Sequence, residues 1–171
     1  MLYVLYPNGL LVTLMSYLQR IDQPGYRLAV QVCNGATDKL QRHICQYFGD
    51  LLTSNQSDDD EETDRDTMRT SHDLIKRLFR SCPGVLHSVI PILETELRSD
   101  GLDSRLLATQ TLGEMYADKG GQDLVRKHPS TWMAWVNRKA DVAVAVRLKC
   151  VEATPALITS LPECREALAG M

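Results

Sequence analysis

The sequence predicts an all-α protein, a HEAT-repeat α-solenoid of roughly four helix pairs with one acidic disordered insertion. Three observations predict it. Asp103 with Arg105-Leu106-Leu107-Ala108 returns as Asp141 with Arg147-Leu148-Lys149-Cys150, and the two arginines stand 42 residues apart. That period belongs to HEAT and armadillo units. Apolar residues also recur at spacings of three and four along most of the chain, with no strand pattern of comparable length. Finally, 44% of residues are hydrophobic but only 6% aromatic, a Leu, Ala and Val composition that suits stacked helices better than a β-sandwich.

The elements follow in order. Residues 1–54 hold the first helices. Pro7-Asn8-Gly9 reads as a turn, and Leu10–Arg20 as a helix whose core face is Leu11, Leu14, Met15 and Leu18. Asp22-Gln23-Pro24 starts a second helix, with proline in a first turn that has no use for its missing N–H. It carries Leu28, Ala29 and Val32 and ends near Asn34-Gly35. Thr37 is a natural cap for a third, with Leu40, Ile44, Tyr47, Phe48 and Leu51 on one stripe.

Residues 55–66 read as an acidic loop, because Ser54–Asp66 contains no apolar residue and cannot bury anything. Ser57, followed by acidic residues, fits the substrate pattern of an acidophilic kinase, and phosphate there would deepen a negative patch.

Residues 67–171 hold further repeats. Thr67 or Ser71 restarts the helices with Leu74, Ile75, Leu78 and Phe79 as core. Cys82-Pro83-Gly84 breaks them. Val85–Leu97 reads as one helix, buried through Val89, Ile92, Leu93 and Leu97 and kinked at Pro91. Asp103 reads as the cap of a helix to Ala117, which Gly120 and Gly121 stop by supplying positive φ. One turn at Asp123–Lys127 precedes a helix starting at Pro129, where Trp132 and Trp135 share a face. Asp141 reads as the cap of the last long helix, with Val144, Leu148, Val151 and Leu157 at helical spacing and a kink at Pro155. Leu161-Pro162-Glu163 begins another.

In such a stack an arginine of one helix can reach the aspartate of the next repeat, giving a ladder along the array. Asp103 precedes Arg105 by two residues, whereas Asp141 precedes Arg147 by six, so the ladder is expected to be irregular.

Net charge is −3, but the acidic run contributes −6, which leaves +3 elsewhere. Between Arg105 and Lys149, eight basic residues face four acidic ones. This mild excess favours an acidic partner at Lys119, Arg126, Lys127, Arg138 and Lys139. For Trp132 and Trp135 core packing competes with a role as surface anchors inside that basic rim. The five cysteines are scattered without a CxxC pair, which points to a reducing compartment and no disulfide frame. The apolar start lacks a basic n-region and is broken at Pro7, so neither a signal peptide nor a membrane span is expected. No histidine, cysteine or serine stands in a metal-binding or nucleophile pattern, and Lys119-Gly120-Gly121 follows a helix where a phosphate loop follows a strand. No catalytic, metal or cofactor residue is assigned.

The string LLATQTLGEMYADKGGQDLVRKHPSTWMAWVNRKADVAVAVRLKCVEA, then LPECREAL, resembles the fungal form of a cohesin regulatory family, precocious dissociation of sisters protein five. The resemblance runs back through PGVLHSVIPILETELRSD and GYRLAVQVCNGATDKLQRHICQYFGDLL to about Pro7. It implies a non-enzymatic HEAT-repeat hook in the nucleus that sits on chromatin-bound cohesin by holding the kleisin subunit. It also implies contact with cohesin release and establishment factors, and in some members an inositol polyphosphate. Chromatin association would be indirect, with no nucleic-acid motif and no membrane contact. Family members are very long, and the match is to an internal part of their N-terminal half, without the upstream Ala-Pro-Asp-Ala-Pro motif or the downstream solenoid. The competing expectation is a solenoid adaptor for another nuclear or cytoplasmic peptide.

Overall fold

The computed structural model describes residues 7–20, 22–35, 38–53 and 61–169. Among these every regular element is helical. The chain divides into two compact units, Met1–Val89 and Ile90–Met171.

The first unit contains α1 (Pro7–Leu18), α2 (Pro24–Asn34), α3 (Asp38–Thr53), α4 (Glu61–Ser81) and α5 (Pro83–Leu86). The expected turn at Pro7–Gly9 is instead the first turn of α1, a position that proline's fixed φ suits. Leu11, Leu14, Met15 and Leu18 are buried as their spacing requires. On α2 the expected core is only partly right. Ala29 and Cys33 are buried, whereas Leu28 and Val32 face outward, Leu28 with 61% exposure. The inner stripe is one of small side chains because α2 lies close to α1. A Cβ added at Gly25 would stand 2.5 Å from the Tyr17 ring. On α3, Ile44 and Phe48 are buried with Leu52. The Thr37 cap lies outside the described residues.

α4 begins at Glu61, so the acidic segment is not a loop throughout. Glu61–Asp66 forms the first turns of that helix. Ser57 lies outside the described residues. Leu74, Ile75, Leu78 and Phe79 form the buried face of α4, as their periodicity predicts. The Tyr26 and Ser81 hydroxyls, 2.6 Å apart, tie α2 to α4, and Arg77 Nη1 donates to the Gln19 carbonyl at 2.6 Å.

The second unit contains α6 (Ile90–Leu97), α7 (Leu102–Ala117), α8 (Gly121–Lys127), α9 (Pro129–Val136) and α10 (Val144–Ser160). A 3-10 turn, Asn137–Ala140, links the last two, and a second at Pro162–Cys164 leads into α11 (Arg165–Leu168). The single kinked helix expected over 85–97 is two helices, α5 and α6. Pro91 is the second residue of α6, where proline opens a helix without losing a bond.

Gly101, not Asp103, is the N-cap of α7, and Asp103 lies in the first turn. Gly120 has φ −87°, so the glycine pair is not there to supply positive φ. Gly121 is required by close approach, since a Cβ on it would fall 1.9 Å from the Tyr116 carbonyl oxygen. α10 continues through Pro155 to Ser160. Its buried face is Val146, Cys150 and Leu157, whereas Val144, Leu148 and Val151 are exposed. The reason is that α10 carries two apolar stripes, and the one bearing Val146, Cys150 and Leu157 packs inward.

Candidate interaction surface

The second unit is held by a rung that joins the two arginine positions. Arg105, on α7, donates from Nε to Asp141 Oδ2 at 3.1 Å and from Nη2 to Oδ1 at 3.5 Å. Its Nη1 donates to the carbonyls of Ser99 and Asp100, at 2.8 and 2.7 Å. One period later Arg147 does the same, donating from Nη1 to the carbonyls of Asp141 and Val142 at 2.6 and 3.1 Å. The 42-residue period is thus structural.

It also corrects the alignment read from residue identity. α7 starts at Leu102 and α10 at Val144, so the partner of Asp141 in the repeat is Ser99, not Asp103. Ser99 Oγ accepts the Gly101 N–H at 3.1 Å, as Asp141 Oδ1 accepts the Ala143 N–H at 2.9 Å. Each side chain braces the cap of the helix that follows. The capping brace and the arginine–carbonyl contacts repeat once serine is allowed in aspartate's place, whereas the arginine–carboxylate rung is seen once, between Arg105 and Asp141.

Asp141 is almost sealed from solvent and receives Arg138 Nη1 as well, at 3.0 Å. Burial by itself raises its pKa, but the Ala143 N–H and the Arg105 and Arg138 guanidiniums outweigh it and hold the carboxyl below its usual value. A second carboxylate, Glu94 on α6, accepts the hydroxyls of Thr131 at 2.6 Å and Ser130 at 2.9 Å and pairs with Arg98 at 2.7 Å. It closes the N-terminus of α9 from outside that helix. The Thr131 hydroxyl is the main reason that its pKa is depressed against the burial that would raise it, with Ser130, Arg98 and His128 assisting.

Trp132 and Trp135 belong to the core, at 5% and 0% exposure, and the expectation of a surface anchor is overturned. Their rings stack at 5.6 Å, and both meet Tyr116 edge-on. The Trp135 indole N–H donates to the Thr109 carbonyl at 2.8 Å, which satisfies the one polar atom of a buried ring. The spacing of three that put both on one face is the spacing that lets both cover α7.

The basic residues divide into two kinds. Arg138 is committed to Asp141. Lys119 and Lys139 are exposed, Arg126 pairs with Glu163 at 3.6 Å and Lys127 with Asp123 at 2.8 Å. Exposed pairs of that sort contribute about 0–1 kcal/mol each, so an incoming carboxylate exchanges for them at little cost. Glu163 also accepts the Gln122 amide. Sequence reasoning missed Glu94, whose hydroxyl partners lie far along the chain, and Ser99, whose brace to Gly101 is local. It grouped Val144, Leu148 and Val151 with Leu157 by spacing, whereas the first three face outward with Ile158 and Leu157 faces the core.

Between α7 and α10 runs a shallow groove of about 260 Å³ lined by Gln110, Gly113, Glu114, Lys149 and Glu152. Its polar groups are internally paired, Gln110 to Glu114 at 3.1 Å and Lys149 to Glu152 at 2.9 Å. Among the described residues no group of three His, Cys, Asp or Glu side chains is placed to hold a metal ion. None of the described helices is long and apolar enough to cross a membrane.

Residues 7–170 match the family model described as sister chromatid cohesion protein PDS5. The chain is 33% identical over 139 residues to sister chromatid cohesion protein pds5 of Schizosaccharomyces pombe, covering 81% of this chain and 11% of that protein. It is 25% identical over 162 residues to the Saccharomyces cerevisiae PDS5 protein, covering 95% of this chain and 12% of the other. The Danio rerio homolog A is likewise 25% identical over 161 residues, covering 94% and 12%. The chain therefore spans about an eighth or less of the curated relatives it matches. A solved structure, "Structure of the Pds5-Scc1 complex and implications for cohesin function", superposes on 91% of this chain and 25% of its own with a TM-score of 0.78 at 22% identity. That likeness establishes the fold as HEAT-type helical packing.

Proposed function

The chain belongs to the PDS5 family of sister-chromatid cohesion proteins, and on that premise we propose that it is a segment of a non-enzymatic scaffold that regulates cohesin. In this reading it works in the nucleus on chromatin-bound cohesin, within a protein that holds the kleisin subunit. The observation that carries it is the family match over 7–170, which coincides with the helical-repeat packing. The pairing of a related protein with Scc1 in a structure of the same fold supports the choice of partner. We also propose that it is the fungal form of the family. The 33% identity with the fission-yeast protein supports this, and a family tree that placed the chain among animal sequences would overturn it.

The contribution of this segment is mechanical and electrostatic. The Arg105–Asp141 rung and the Trp132–Trp135–Tyr116 cluster hold the second unit together, because both are buried and the rung's charges and the Trp135 N–H meet specific partners. On that frame Lys119, Arg126, Lys127 and Lys139 present positive charge that an acidic peptide can use. Arg138 faces the same partner only through its stem, since its guanidinium is held by Asp141. Ser57 is the proposed phosphorylation site, tested by incubation with an acidophilic kinase and mass spectrometry of the Ser57→Ala variant alongside the natural chain.

The test of the main reading is co-purification at low salt of overlapping kleisin segments with a full-length protein containing this chain. Capture of a kleisin segment is expected. Capture of none of them overturns the reading and leaves the adaptor for another peptide in its place.

A further inference from the structure

In the first unit the corner between α4 and α5 is fastened to one face of α2. The Tyr26 hydroxyl stands 2.6 Å from that of Ser81, and Asn34 Nδ2 donates to the Ser81 carbonyl at 3.5 Å. Cys82 Sγ donates to the Val30 carbonyl at 3.8 Å. Tyr26, Val30, Cys33 and Asn34 follow one another at helical spacing on that face. Cys33 therefore stands at the corner, and its thiol is a hydrogen-bond partner of the Cys82 thiol, 49 residues along the chain. Both are free thiols sealed from solvent, at 1% and 0% exposure.

The other three cysteines are differently placed. Cys45 donates to the Ser88 carbonyl at 3.0 Å. Burial pushes the Cys150 thiol up to about 11 and raises that of Cys164, so both keep their protons. Cys33 moves the other way. The Cys82 S–H donates to the Cys33 sulfur and favours its thiolate against burial, while the same bond, burial and the Cys33 charge hold the proton on Cys82. A thiolate beside a thiol is the arrangement that a two-electron oxidant converts to a disulfide. An opening route exists as well. α2 fully buries only Ala29 and Cys33 and turns Leu28 and Val32 to solvent, so its local opening breaks few apolar contacts and admits a molecule as small as hydrogen peroxide.

We propose that Cys33 and Cys82 form a modification site for peroxide-class oxidants, closing to an intramolecular disulfide that clamps α2 to the α4–α5 corner. The Cys33 thiolate attacks one oxygen of hydrogen peroxide, the O–O bond breaks, and the hydroxide released takes up the proton that Cys33 gave up, as water. The Cys82 sulfur then attacks the Cys33 sulfenic acid. The S–S bond forms, and the sulfenic hydroxyl leaves with the Cys82 proton as a second water. Two thiols lose two electrons and one peroxide is reduced to two waters. A reducing compartment keeps the dithiol open, so the clamp forms only under oxidant and is undone by thiol exchange. The inference concerns the first unit alone and does not depend on which partner the scaffold holds.

The test uses the whole chain. Folded protein is treated with hydrogen peroxide, quenched, alkylated in denaturant and digested with trypsin. Mass spectrometry should find peptides 28–39 and 81–98 joined, with the alkylatable thiols falling from five to three, and dithiothreitol should restore all five. By urea unfolding the oxidised chain should have an unfolding constant on the order of a hundredfold smaller than the reduced chain. Cys45→Ser with Cys164→Ser should leave the linkage in place. Met133 is 51% exposed and reports that oxidant was sufficient. Oxidation of Met133 with all five thiols still alkylatable would overturn the proposal, and so would a linkage formed mainly through any other cysteine. A Cys33–Cys82 linkage that raised the unfolding constant would overturn it too, since the bond would then be distorting the corner and not clamping it.

Discussion

At the scale of single residues, Asp141 has the largest predicted consequence. Its carboxylate is 2% exposed and receives two guanidiniums and a backbone N–H. Asp141→Ala leaves Arg105 charged and only 11% exposed, without its partner. Removing one member of a buried pair costs about 3–5 kcal/mol, and urea unfolding should show a loss of that size. Lys127→Ala, at an exposed pair, should cost under about 1 kcal/mol in the same assay. The pH dependence has a definite sign. Asp141 and Glu94 both have folded-state pKa values below those of the unfolded chain, so the unfolded chain takes up protons first on acidification. Their stabilisation is complete above the ordinary carboxylate range, about 4, and is lost as pH falls through it toward the folded values. Urea midpoints should drop between pH 6 and pH 3, and by less in a Glu94→Gln variant. Tyr116 gives the opposite kind of prediction. Its hydroxyl is buried with no hydrogen-bond partner, so Tyr116→Phe should leave stability unchanged or raise it by about 1 kcal/mol.

At the scale of elements, the helices were legible because a 3.6-residue period is a local property of sequence. α1 and α4 bury the faces that their spacing marks out, whereas on α3 Ile44 and Phe48 are buried, Leu40, Tyr47 and Leu51 are half-buried, and Leu52 joins the core in their place. What failed was whatever depends on a partner remote in sequence. α10 carries two apolar stripes, and periodicity alone does not say which one meets α7. Residue identity aligned Asp103 with Asp141, whereas the helix starts align Ser99 with it, because a hydroxyl and a carboxylate brace the same N–H. The tryptophans could be placed on one face by spacing, but their burial is set by α7, whose Gly113 admits the Trp135 ring. That contact carries a prediction for the α7–α10 pair. A Cβ at Gly113 would lie 3.2 Å from Ala153 and 3.3 Å from Trp135, whose ring is fully buried and fixed by its N–H bond. Gly113→Val therefore overpacks the interface and should cost about 1–3 kcal/mol by urea unfolding, despite removing a glycine from a helix interior.

At the scale of the whole molecule, net charge is a poor guide to partner choice. The value of −3 combines a −6 run at 58–66 with a remainder of +3. Charges farther apart than a Debye length of about 8 Å act nearly independently at physiological salt, so a partner responds to the local sign and not to the sum. The local sign around α8 and the 3-10 turn is positive. Of the five basic residues there, Arg138 must be left out of any test of binding, since reversing it would break the Asp141 site and confuse folding with recognition. Lys119→Glu, Arg126→Glu and Lys139→Glu together change only exposed side chains, and circular dichroism should match that of the natural chain. If this surface contributes to holding an acidic segment, the triple variant should bind the kleisin segment on the order of tenfold more weakly at low salt. The difference should shrink as salt is raised, because the contribution is screened Coulomb attraction. An unchanged affinity, with co-purification intact, would remove the basic surface from the account while leaving the scaffold reading in place. The two readings therefore fail separately, one at the level of a surface and the other at the level of the whole protein.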